Sequence, residues 1–521
     1  MQKFQIVFTS DTHGCLFPST DSIEAARQHP GLLGLWDPSS RDSNTILIDG
    51  GDAIQGSPLT YYAHRYAVTP NPVATAMNLR GTDVVTLGNH DFNYGLDYLK
   101  AYLDGLDAVC VCANIRDRAG RLPIQDSVIR TLENGLRVGI AGVCTDYIVH
   151  WCGKELLDEL IVTDPLEAAR RALADLKPLC DVSILVYHGG CEKDLTTEQL
   201  LTDSTENQAC RIAETLDYDI LLTGHQHGQI EGIRYHGSWI VQPGSHAQMY
   251  SHLQVEYVEG ESRVRSALCT PVSPFPFPVD QQLQDVQRRA EAWLDLPLGR
   301  LDRPLRAEPQ PEMALHGSLL ANLINTVQIE ATGADISATC LGNRMIELTP
   351  TVTVRSIMTA YEFSNTLTLL EMTGAQLKTY LECSAAFFTL EGGRVRVSDA
   401  FIVPKIEFYN YDYFSGIDYT MDLNRDIGKR IIEITRHGRA VLLTETFTVC
   451  VTNYRASGTG IYAPLRNCRV LKTFDTEVPE LLMEYVERHR SVKVDTHHSL
   501  HILPYTAEQR IDNATPVVAA N

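Results

Sequence analysis

Five hydrophobic runs in the first half of the chain are each followed directly by side chains that can bind metal ions, and this recurrence strongly constrains the fold. The segments are FQIVFT before Ser10–Gly14, TILID before Gly50–Asp52, DVVTL before Gly88–Asp91, VSILVY before His188–Gly190 and YDILLT before Gly224–His227. Short apolar runs of this kind predict buried β-strands. Because ligand sites of α/β sheets lie beyond the carboxyl ends of the strands, we expect the five segments to meet in space.

The chain of 521 residues is long enough for several domains, and its pattern changes once along its length. Residues 1 to about 270 alternate strand-like and helix-like stretches, which predicts an α/β domain. A proline-rich segment at 270–278 marks a boundary, and 281–296 predicts a bridging helix. The predicted organisation is a domain at 1–275, a linker helix within 276–300, a second domain at 301–506 and a tail at 507–521.

The second domain has a pattern typical of α+β folds. Helices are predicted at 317–331 and 374–385, and strands at 365–373 and within 440–452. Its sequence contains no internal repeat.

The net charge of −21 argues against a protein that binds long nucleic acids through phosphate contacts. It does not argue against binding a small anion, since bound metal ions can dominate the charge within a site. No apolar run approaches the roughly 18 residues that a membrane helix needs, so no membrane partner is predicted. The oligomeric state is left open.

The thirteen cysteines have no regular spacing, and most lie within apolar runs. An odd number of scattered thiols favours reduced core residues and therefore the cytoplasm. The first strand begins almost at the N-terminus, which leaves no room for a signal peptide. The alternative is a secreted protein whose signal peptide has been removed.

Spacing within the five motifs suggests how the ligands combine. On an extended segment, residues two apart point to the same side, which would bring Asp11 to His13 and His225 to His227. Asp52 follows two glycines, which allow the backbone to approach an ion closely, and its two carboxylate oxygens can bridge two ions.

These residues supply enough ligands for two divalent metal ions. The first ion is assigned Asp11, His13, Asp52 and His227, and the second is assigned Asp52, Asn89, His188 and His225. Mixed imidazole and oxygen ligands favour Zn, Mn, Co or Fe over Ca or Mg. Two such ions about 3.5–4 Å apart can generate a hydroxide nucleophile and hold a phosphoryl group. His90 is needed by neither ion, and its imidazole is predicted to stabilise phosphoryl oxygens or to protonate a leaving group.

The five motifs resemble those of the calcineurin-type metallophosphoesterases, and the second half of the chain is similar to the C-terminal domain of the 5′-nucleotidase family. The resemblance implies a two-domain α/β (α+β) architecture. Its catalytic domain would be a four-layer αββα structure, with two β-sheets flanked by helices, and an α+β domain would bind the substrate. It also implies a hydrolase for phosphoric esters that takes a small nucleotide as its substrate.

Three details resemble the branch of 2′,3′-cyclic-nucleotide 2′-phosphodiesterase/3′-nucleotidases. Asn93 stands where 5′-nucleotidases usually have an aspartate that supports the catalytic histidine. The segments YNYDYFSGIDYTMDL (409–423) and NYRASGTG (453–460) resemble two segments of that branch. Gly460 stands where 5′-nucleotidases have an aspartate, and Thr459 departs from the branch by replacing a glycine of the loop.

By this resemblance, two aromatic rings hold the nucleobase between them, and their positions indicate Tyr411 and Tyr454, with Tyr413 as the substitute for Tyr411. The resemblance also places three residues around the same pocket: Arg455, Ser457 and Gly458. Stacking on aromatic faces tolerates any base, so weak base discrimination is implied.

The predicted activity is hydrolysis of nucleoside phosphates, including 2′,3′-cyclic nucleotides and 3′-nucleotides, by attack of a metal-bound hydroxide on phosphorus, with His90 and Asn93 as catalytic residues. One alternative is a 5′-nucleotidase or nucleotide-sugar hydrolase. An alternative of another class is a nucleotide-binding protein that has lost catalysis.

Overall fold

The structure is a computed structural model that describes residues 2–19, 28–150, 152, 154–201, 205–258, 260–269, 280–344, 346–361, 363, 365–392, 394–402, 406–474 and 476–504. The proline-rich segment at 270–278 and the tail from 507 lie outside the described residues. The chain divides into two compact units, Met1–Glu291 and Ala292–Asn521.

The first unit is built on two large β-sheets. Its strands are β1 (Gln2–Thr9), β2 (Thr45–Asp49), β3 (Val84–Val85), β4 (Val109–Val111), β5 (Ile115–Asp117), β6 (Ile124–Gln125), β7 (Ser127–Thr131), β8 (Arg137–Cys144), β9 (Leu160–Val162), β10 (Val182–His188), β11 (Ile220–Thr223), β12 (Gln229–Tyr235), β13 (Ser238–Pro243), β14 (Tyr250–Val258) and β15 (Glu261–Cys269). The first sheet has the order β15-β14-β1-β2-β3-β4-β6, and the second has the order β12-β13-β11-β10-β8-β7. Strands β1, β2 and β3 are parallel neighbours, as are β10 and β11.

Helices cover the outer faces of both sheets. They are α1 (Gly31–Gly34), α2 (Pro58–Arg65), α3 (Pro72–Arg80), α4 (Gly95–Asp104), α5 (Lys154–Glu159), α6 (Pro165–Leu176), α7 (Ala209–Thr215) and α8 (Gln281–Leu294). Helix α8 lies where the sequence predicts 281–296, and the boundary between the two units falls within it.

Alternation along the strands divides the core of the first unit into layers. Ile6 and Phe8 of β1 share one buried cluster with Ile184 and Val186 of β10, so the two sheets pack face to face. Helices α1 to α4 pack on the other face of the first sheet, and helices α6 and α7 on the other face of the second. The predicted four-layer αββα arrangement is therefore observed.

The second unit combines several small sheets with helices. Its strands are β16 (Pro297–Leu301), β17 (Ile336–Cys340), β18 (Thr351–Thr353), β19 (Leu367–Thr373), β20 (Phe388–Glu391), β21 (Arg394–Val397), β22 (Asp412–Ser415), β23 (Asp418–Asp422), β24 (Ile431–Arg436), β25 (Arg439–Ala440), β26 (Thr446–Thr452), β27 (Arg469–Thr473), β28 (Ser491–Val492) and β29 (Leu500–Leu503). Its helices are α9 (Gln310–His316), α10 (Leu319–Thr332), α11 (Val354–Ala360), α12 (Gly374–Ala385), α13 (Asn453–Ala456) and α14 (Val478–His489). Among the described residues of this second unit, the largest sheet has five strands in the order β22-β17-β26-β19-β27.

The predicted elements of the second unit are found with one difference. Helices α10 and α12 and strand β19 match the predicted segments closely, and Thr373 caps the start of α12 through its side chain. The predicted strand within 440–452 is instead divided into β25 and β26, which are separated by a turn at 441–445. Among the described residues of the whole chain, none of the helices combines the length and apolar character needed to cross a membrane.

Candidate metal centre

The five sequence motifs converge at the carboxyl ends of parallel strands in both large sheets. Asp11, Asp52 and Asn89 follow β1, β2 and β3, which are adjacent in the first sheet. His188 ends β10, and His225 follows β11, its neighbour in the second sheet. The site is thus shared between two sheets, at the edge that the sequence predicts.

The backbone at the predicted ligands adopts an unusual conformation. The φ angles are 53° at Asp11, 48° at His13, 55° at Asp52, 69° at His225 and 56° at His227. Residues other than glycine seldom occupy this left-handed region, and such strain clusters at functional sites. The expectation that the spacing of two acts through an extended segment is therefore wrong, because left-handed turns bring these side chains together.

One glycine is required by the approach of two motifs. Gly51 has a φ of +89°, and a Cβ atom there would lie 2.3 Å from the backbone nitrogen of Gly88. A side chain at this position would force the second motif away from the third. Asp91 reinforces the same contact, because its carboxylate accepts hydrogen bonds from the backbone N–H groups of Asp52 (2.9 Å), Ala53 (2.8 Å) and Gly88 (2.8 Å).

Asp11, His13 and His227 form the first cluster that could hold a metal ion, with their ligand atoms within 4.8 Å of one another. Nδ1 of His13 lies 3.0 Å from the carbonyl oxygen of Gln55, to which it donates its proton. Nε2 of His13 therefore carries no proton, and it lies 3.0 Å from Nε2 of His227. Oδ1 of Asp11 lies 3.5 Å from the same His227 nitrogen.

Burial favours neutral rings in this first cluster. Desolvation, opposed by Asp52 and assisted by His90 and His246, lowers the pKa of His13 to about 3. Desolvation and His13 likewise hold the pKa of His227 far below its ordinary value, even though that ring is partly exposed. Neutral imidazoles are the form that binds metal ions.

Asp52, His188 and His225 form the second cluster, again with ligand atoms within 4.8 Å of one another. Nδ1 of His188 donates to the carbonyl oxygen of Gly50 at 2.7 Å, and its Nε2 faces Oδ2 of Asp52 at 3.2 Å. Oδ1 of Asn89 lies 3.2 Å from that same Nε2 and 2.8 Å from Nδ1 of His225.

A positive charge between the side chains of the second cluster would be stabilised by the carboxylates around it. Burial lowers the pKa of His188, but the carboxylates of Asp52 and Asp11 outweigh burial and raise it to about 10. Oδ2 of Asp52 is buried, and no group in the described part of the chain donates a hydrogen bond of good geometry to it. A divalent cation would meet this demand, so both clusters fit the two ions that the sequence predicts.

His90 stands beside the clusters. Its backbone N–H donates to Oδ1 of Asp52 at 2.7 Å, and its ring centroid lies 5.5 Å from that of His13. Nδ2 of Asn93 lies 3.1 Å from Nδ1 of His90. The amide nitrogen of Asn93 can only donate in this contact, so Nδ1 of His90 accepts and Nε2 carries the proton. Burial lowers the pKa of His90, which favours this neutral form.

In the second unit, the prediction that Tyr411 stacks on a nucleobase is wrong for this structure. The Tyr411 side chain is 1% exposed, its hydroxyl donates to the carbonyl oxygen of Ala314 at 3.1 Å, and its ring packs against Phe387. Tyr413, the substitute, is also buried. Tyr409, two residues before Tyr411, is half-buried. Burial, Glu407 and nearby Tyr454 together raise the pKa of the Tyr409 hydroxyl.

Tyr454 and the three residues predicted to lie near it differ in burial and contacts. Tyr454 is half-buried on α13. Arg455, predicted to help shape the same pocket, is 2% exposed and forms an ion pair with Asp412. Ser457 donates to the carbonyl oxygen of Tyr454 at 2.7 Å, and Gly458 turns the chain with a φ of +67°.

Comparison with known protein families follows the same division into two parts. The calcineurin-like phosphoesterase family matches residues 4–229, which contain every residue of both clusters. The 5′-nucleotidase C-terminal domain family matches residues 297–465, which contain both tyrosine segments.

The chain combines a calcineurin-like phosphoesterase domain with a 5′-nucleotidase C-terminal domain.

Relatives of this calcineurin-like phosphoesterase act on nucleotides. A trifunctional nucleotide phosphoesterase of Bacillus subtilis is 25% identical over 89% of this chain, and the chain spans 36% of that relative's length. A 2′,3′-cyclic-nucleotide 2′-phosphodiesterase/3′-nucleotidase of Yersinia enterocolitica is 24% identical over 94% of this chain and 84% of the relative. The prediction of a phosphoric ester hydrolase is therefore confirmed at the level of the family.

Among solved structures, a Staphylococcus aureus protein described as a candidate 5′-nucleotidase, in complex with α-ketoglutarate, superposes with a TM-score of 0.86. It is 29% identical to this phosphoesterase, and the match covers 96% of this chain and 100% of that one. The predicted two-domain architecture is thus confirmed.

The structure adds residues that sequence reasoning did not assign to the site. Oε1 of Glu206 lies 2.8 Å from Nε2 of His225, on the opposite side of the ring from Asn89. The backbone N–H of His246 donates to the carbonyl oxygen of Asp11 at 2.7 Å, and its ring lies 5.1 Å from that of His13. Glu206 lies in a polar stretch with no recognisable motif, whereas His246 has one sequence signal, its position after the GHQH segment at 224–227. The structure adds that His246 shares the left-handed φ of the ligands.

Proposed function

We propose that the chain hydrolyses phosphate esters of nucleosides, with two divalent metal ions held by the two clusters. The observation that best supports this proposal is the grouping of ligand atoms from separate strands: those of Asp11, His13 and His227, and those of Asp52, His188 and His225, lie within 4.8 Å of one another in each cluster. Mixed imidazole, carboxylate and amide groups of this kind are typical ligands of divalent transition-metal ions.

In this proposal Asp11, His13 and His227 bind one ion, Asn89, His188 and His225 bind the other, and Asp52 lies between the two groups. Bound ions of this kind supply an activated water and a Lewis acid for the phosphoryl group. The protein orients the ligands: carbonyl oxygens of Gln55 and Gly50 hold the rings of His13 and His188 in a single tautomer. Zn, Mn, Co and Fe are the candidate metals.

His90 is proposed to act on the phosphoryl group or the leaving oxygen. Asn93 holds the proton of His90 on Nε2, where it can stabilise negative charge or be transferred to the departing oxygen. Because Asn93 is an amide, it offers the ring no negative charge. The imidazole therefore stays neutral more readily than it would beside an aspartate.

The nucleoside is proposed to bind to the second unit between Tyr409 and Tyr454, which replace the pair Tyr411 and Tyr454. Both rings are half-buried, whereas Tyr411 is enclosed in the core. Aromatic stacking contributes about 1–3 kcal/mol for each base and accepts every base. Ser457 and Gly458 shape the turn that carries Tyr454.

We infer that 2′,3′-cyclic nucleotides and 3′-nucleotides are the substrates. The names of the Yersinia relative and of its homologue in Salmonella typhimurium support this choice, as does the resemblance at Asn93. A 5′-nucleotidase is the second candidate, because the Staphylococcus aureus structure superposes over nearly the whole chain.

A substrate panel tests the proposal. Purified protein is freed of metal, loaded with Mn²⁺ or Zn²⁺, and assayed for release of phosphate or nucleoside from 2′,3′-cyclic AMP, 3′-AMP, 5′-AMP, a nucleotide sugar and an aryl phosphate. We expect the highest kcat/KM with the first two. Preference for 5′-AMP would select the second candidate. Nucleotide binding without turnover of any ester, under every metal, would select a protein that has lost catalysis.

A further inference from the structure

A buried ion pair in the second unit joins the two segments that carry the proposed nucleoside site. Arg455 lies on α13, and Asp412 begins β22, yet Nη2 of Arg455 donates to Oδ1 of Asp412 at 2.9 Å and Nε lies 2.7 Å from Oδ2. The two residues are 2% and 1% exposed. Burying a charged pair costs several kcal/mol per ion unless further polar contacts offset that cost. The other hydrogen-bond partners of Arg455 therefore indicate what the ion pair does.

Further contacts of Arg455 lead to the segment that contains Tyr409. Nη2 also donates to the carbonyl oxygen of Tyr409 at 3.1 Å, and Nη1 lies 3.4 Å from Oδ1 of Asn410. The guanidinium carbon lies 3.7 Å from the ring centroid of Tyr462, whose hydroxyl donates to the carbonyl oxygen of Asn410 at 2.6 Å. One planar side chain therefore connects the short 3₁₀ helix Phe408–Asn410 with α13.

Tyr409 is held at a second point. Its hydroxyl donates to Oε1 of Glu407 at 3.1 Å, and Nδ2 of Asn410 donates to Oε2 of the same carboxylate at 3.0 Å. Arg455 restrains the backbone of Tyr409 while Glu407 restrains the far end of its ring. Tyr454 is the residue directly before Arg455, so the arginine links the backbone of one aromatic residue to that of the other.

We propose that Arg455, through its ion pair with Asp412, is a positioning residue that sets the separation of Tyr409 and Tyr454 and thereby the affinity for the nucleobase. It does so without touching the nucleotide. The inference rests on the proposed function in that a base binds between these two rings. A lysine lacks the planar fork that contacts Asp412, the Tyr409 carbonyl and Asn410 together, so lysine cannot replace it.

The experiment compares Arg455→Lys with Arg430→Lys. Arg430 is a matched control, since it is also buried, at 5% exposed, and bonds backbone carbonyl oxygens of the same unit, those of Ala385 (2.8 Å) and Phe388 (2.5 Å). KM and kcat are measured with the preferred nucleotide and with an aryl phosphate that has no base, and Tm is measured for each variant.

We expect Arg455→Lys to raise KM for the nucleotide at least tenfold, with kcat for the nucleotide and both constants for the aryl phosphate within twofold of wild type. Arg430→Lys should lower Tm, and any change in its KM or kcat should be the same for the nucleotide and the aryl phosphate. An unchanged nucleotide KM in Arg455→Lys, or an equal loss on both substrates, would overturn the inference.

A second variant keeps the test decisive if Arg455→Lys does not fold. Asp412→Asn keeps the size of the side chain and an oxygen that can accept the hydrogen bond of Tyr380 (2.6 Å), but removes the charge. Its effect on nucleotide KM should disappear in a Tyr454→Ala background, because without one ring the separation no longer matters. Fully additive effects would contradict the inference. A wild-type protein that binds neither nucleotides nor nucleosides would instead overturn the proposed function, and this inference with it.

Discussion

Nε2 of His13 lies 3.0 Å from Nε2 of His227, although 214 residues separate them in sequence. Because Nδ1 of His13 donates to the carbonyl oxygen of Gln55, Nε2 of His13 carries a lone pair that a cation could bind. The backbone at both histidines is held in the left-handed region, and both rings are kept neutral by burial. The fold thus brings together two imidazole groups that a cation could bind.

Metal removal is predicted to abolish phosphate release from an aryl phosphate and to lower Tm. Without cations the buried carboxylates and lone pairs of the two clusters are left uncompensated. Differential scanning fluorimetry with and without a chelator, followed by addition of Mn²⁺ or Zn²⁺, measures both effects. Activity that persists after elemental analysis shows complete metal loss would rule out the proposed mechanism.

Asp52→Asn is predicted to reduce kcat/KM by about 10³-fold or more, because the position faces both clusters and an amide supplies no charge to hold two ions. Metal content should fall from two ions per chain. Asp104→Asn on the exposed end of α4 is the control and should behave as wild type. A variant of Asp52 with normal turnover would refute its proposed position between the ions.

Glu206→Gln is predicted to weaken metal binding by about 10–100-fold, since outer carboxylates orient the histidines that bind metals and increase their basicity. Activity should recover at high metal concentration, because all ligands remain. Metal affinity is measured by competition with a chelating dye. Glu214→Gln serves as the control, as Glu214 pairs with Lys193 rather than with a ligand. Equal affinities in wild type and Glu206→Gln would disprove the role.

Asn93→Asp is predicted to shift the pH dependence of kcat towards alkaline pH by roughly one unit. Burial holds the pKa of His90 below its ordinary value, and a carboxylate beside Nδ1 would favour the protonated ring and so raise that pKa. The pH at which His90 loses its charge therefore moves upwards. An Asn93→Asp profile that overlays the wild-type profile would show that Asn93 does not act through His90.

Tyr409→Ala and Tyr454→Ala are each predicted to raise KM for nucleotides about tenfold or more while leaving an aryl phosphate unaffected, because each removes one stacking face. Tyr411→Ala should instead destabilise the fold by about 3–5 kcal/mol, as loss of a buried aromatic ring does. Denaturant unfolding and steady-state kinetics distinguish these results. A nucleotide-specific KM effect at Tyr411, with none at Tyr409, would reverse the assignment.

Much of the catalytic unit could be predicted because its signals are local. Each apolar run and the polar residues after it lie within about ten residues, and parallel strands place such segments at one edge. The second unit was less predictable. Tyr409 and Tyr411 are both tyrosines in one short segment, and only packing against Phe387 and Ala314 decides which of them is enclosed.

The sequence by itself determined that each of the five motifs follows a strand, that the motifs carry residue types able to bind two metal ions, and that the two halves resemble the two families that match them. The tertiary structure decided the left-handed turns that direct the ligands, the contact of Glu206 with His225, and the burial of Arg455 against Asp412. The physical reason is separation along the chain. Glu206 and His225 are 19 positions apart, and Asp412 and Arg455 are 43 apart. Such contacts depend on how whole elements pack, and no pattern of neighbouring residues encodes them.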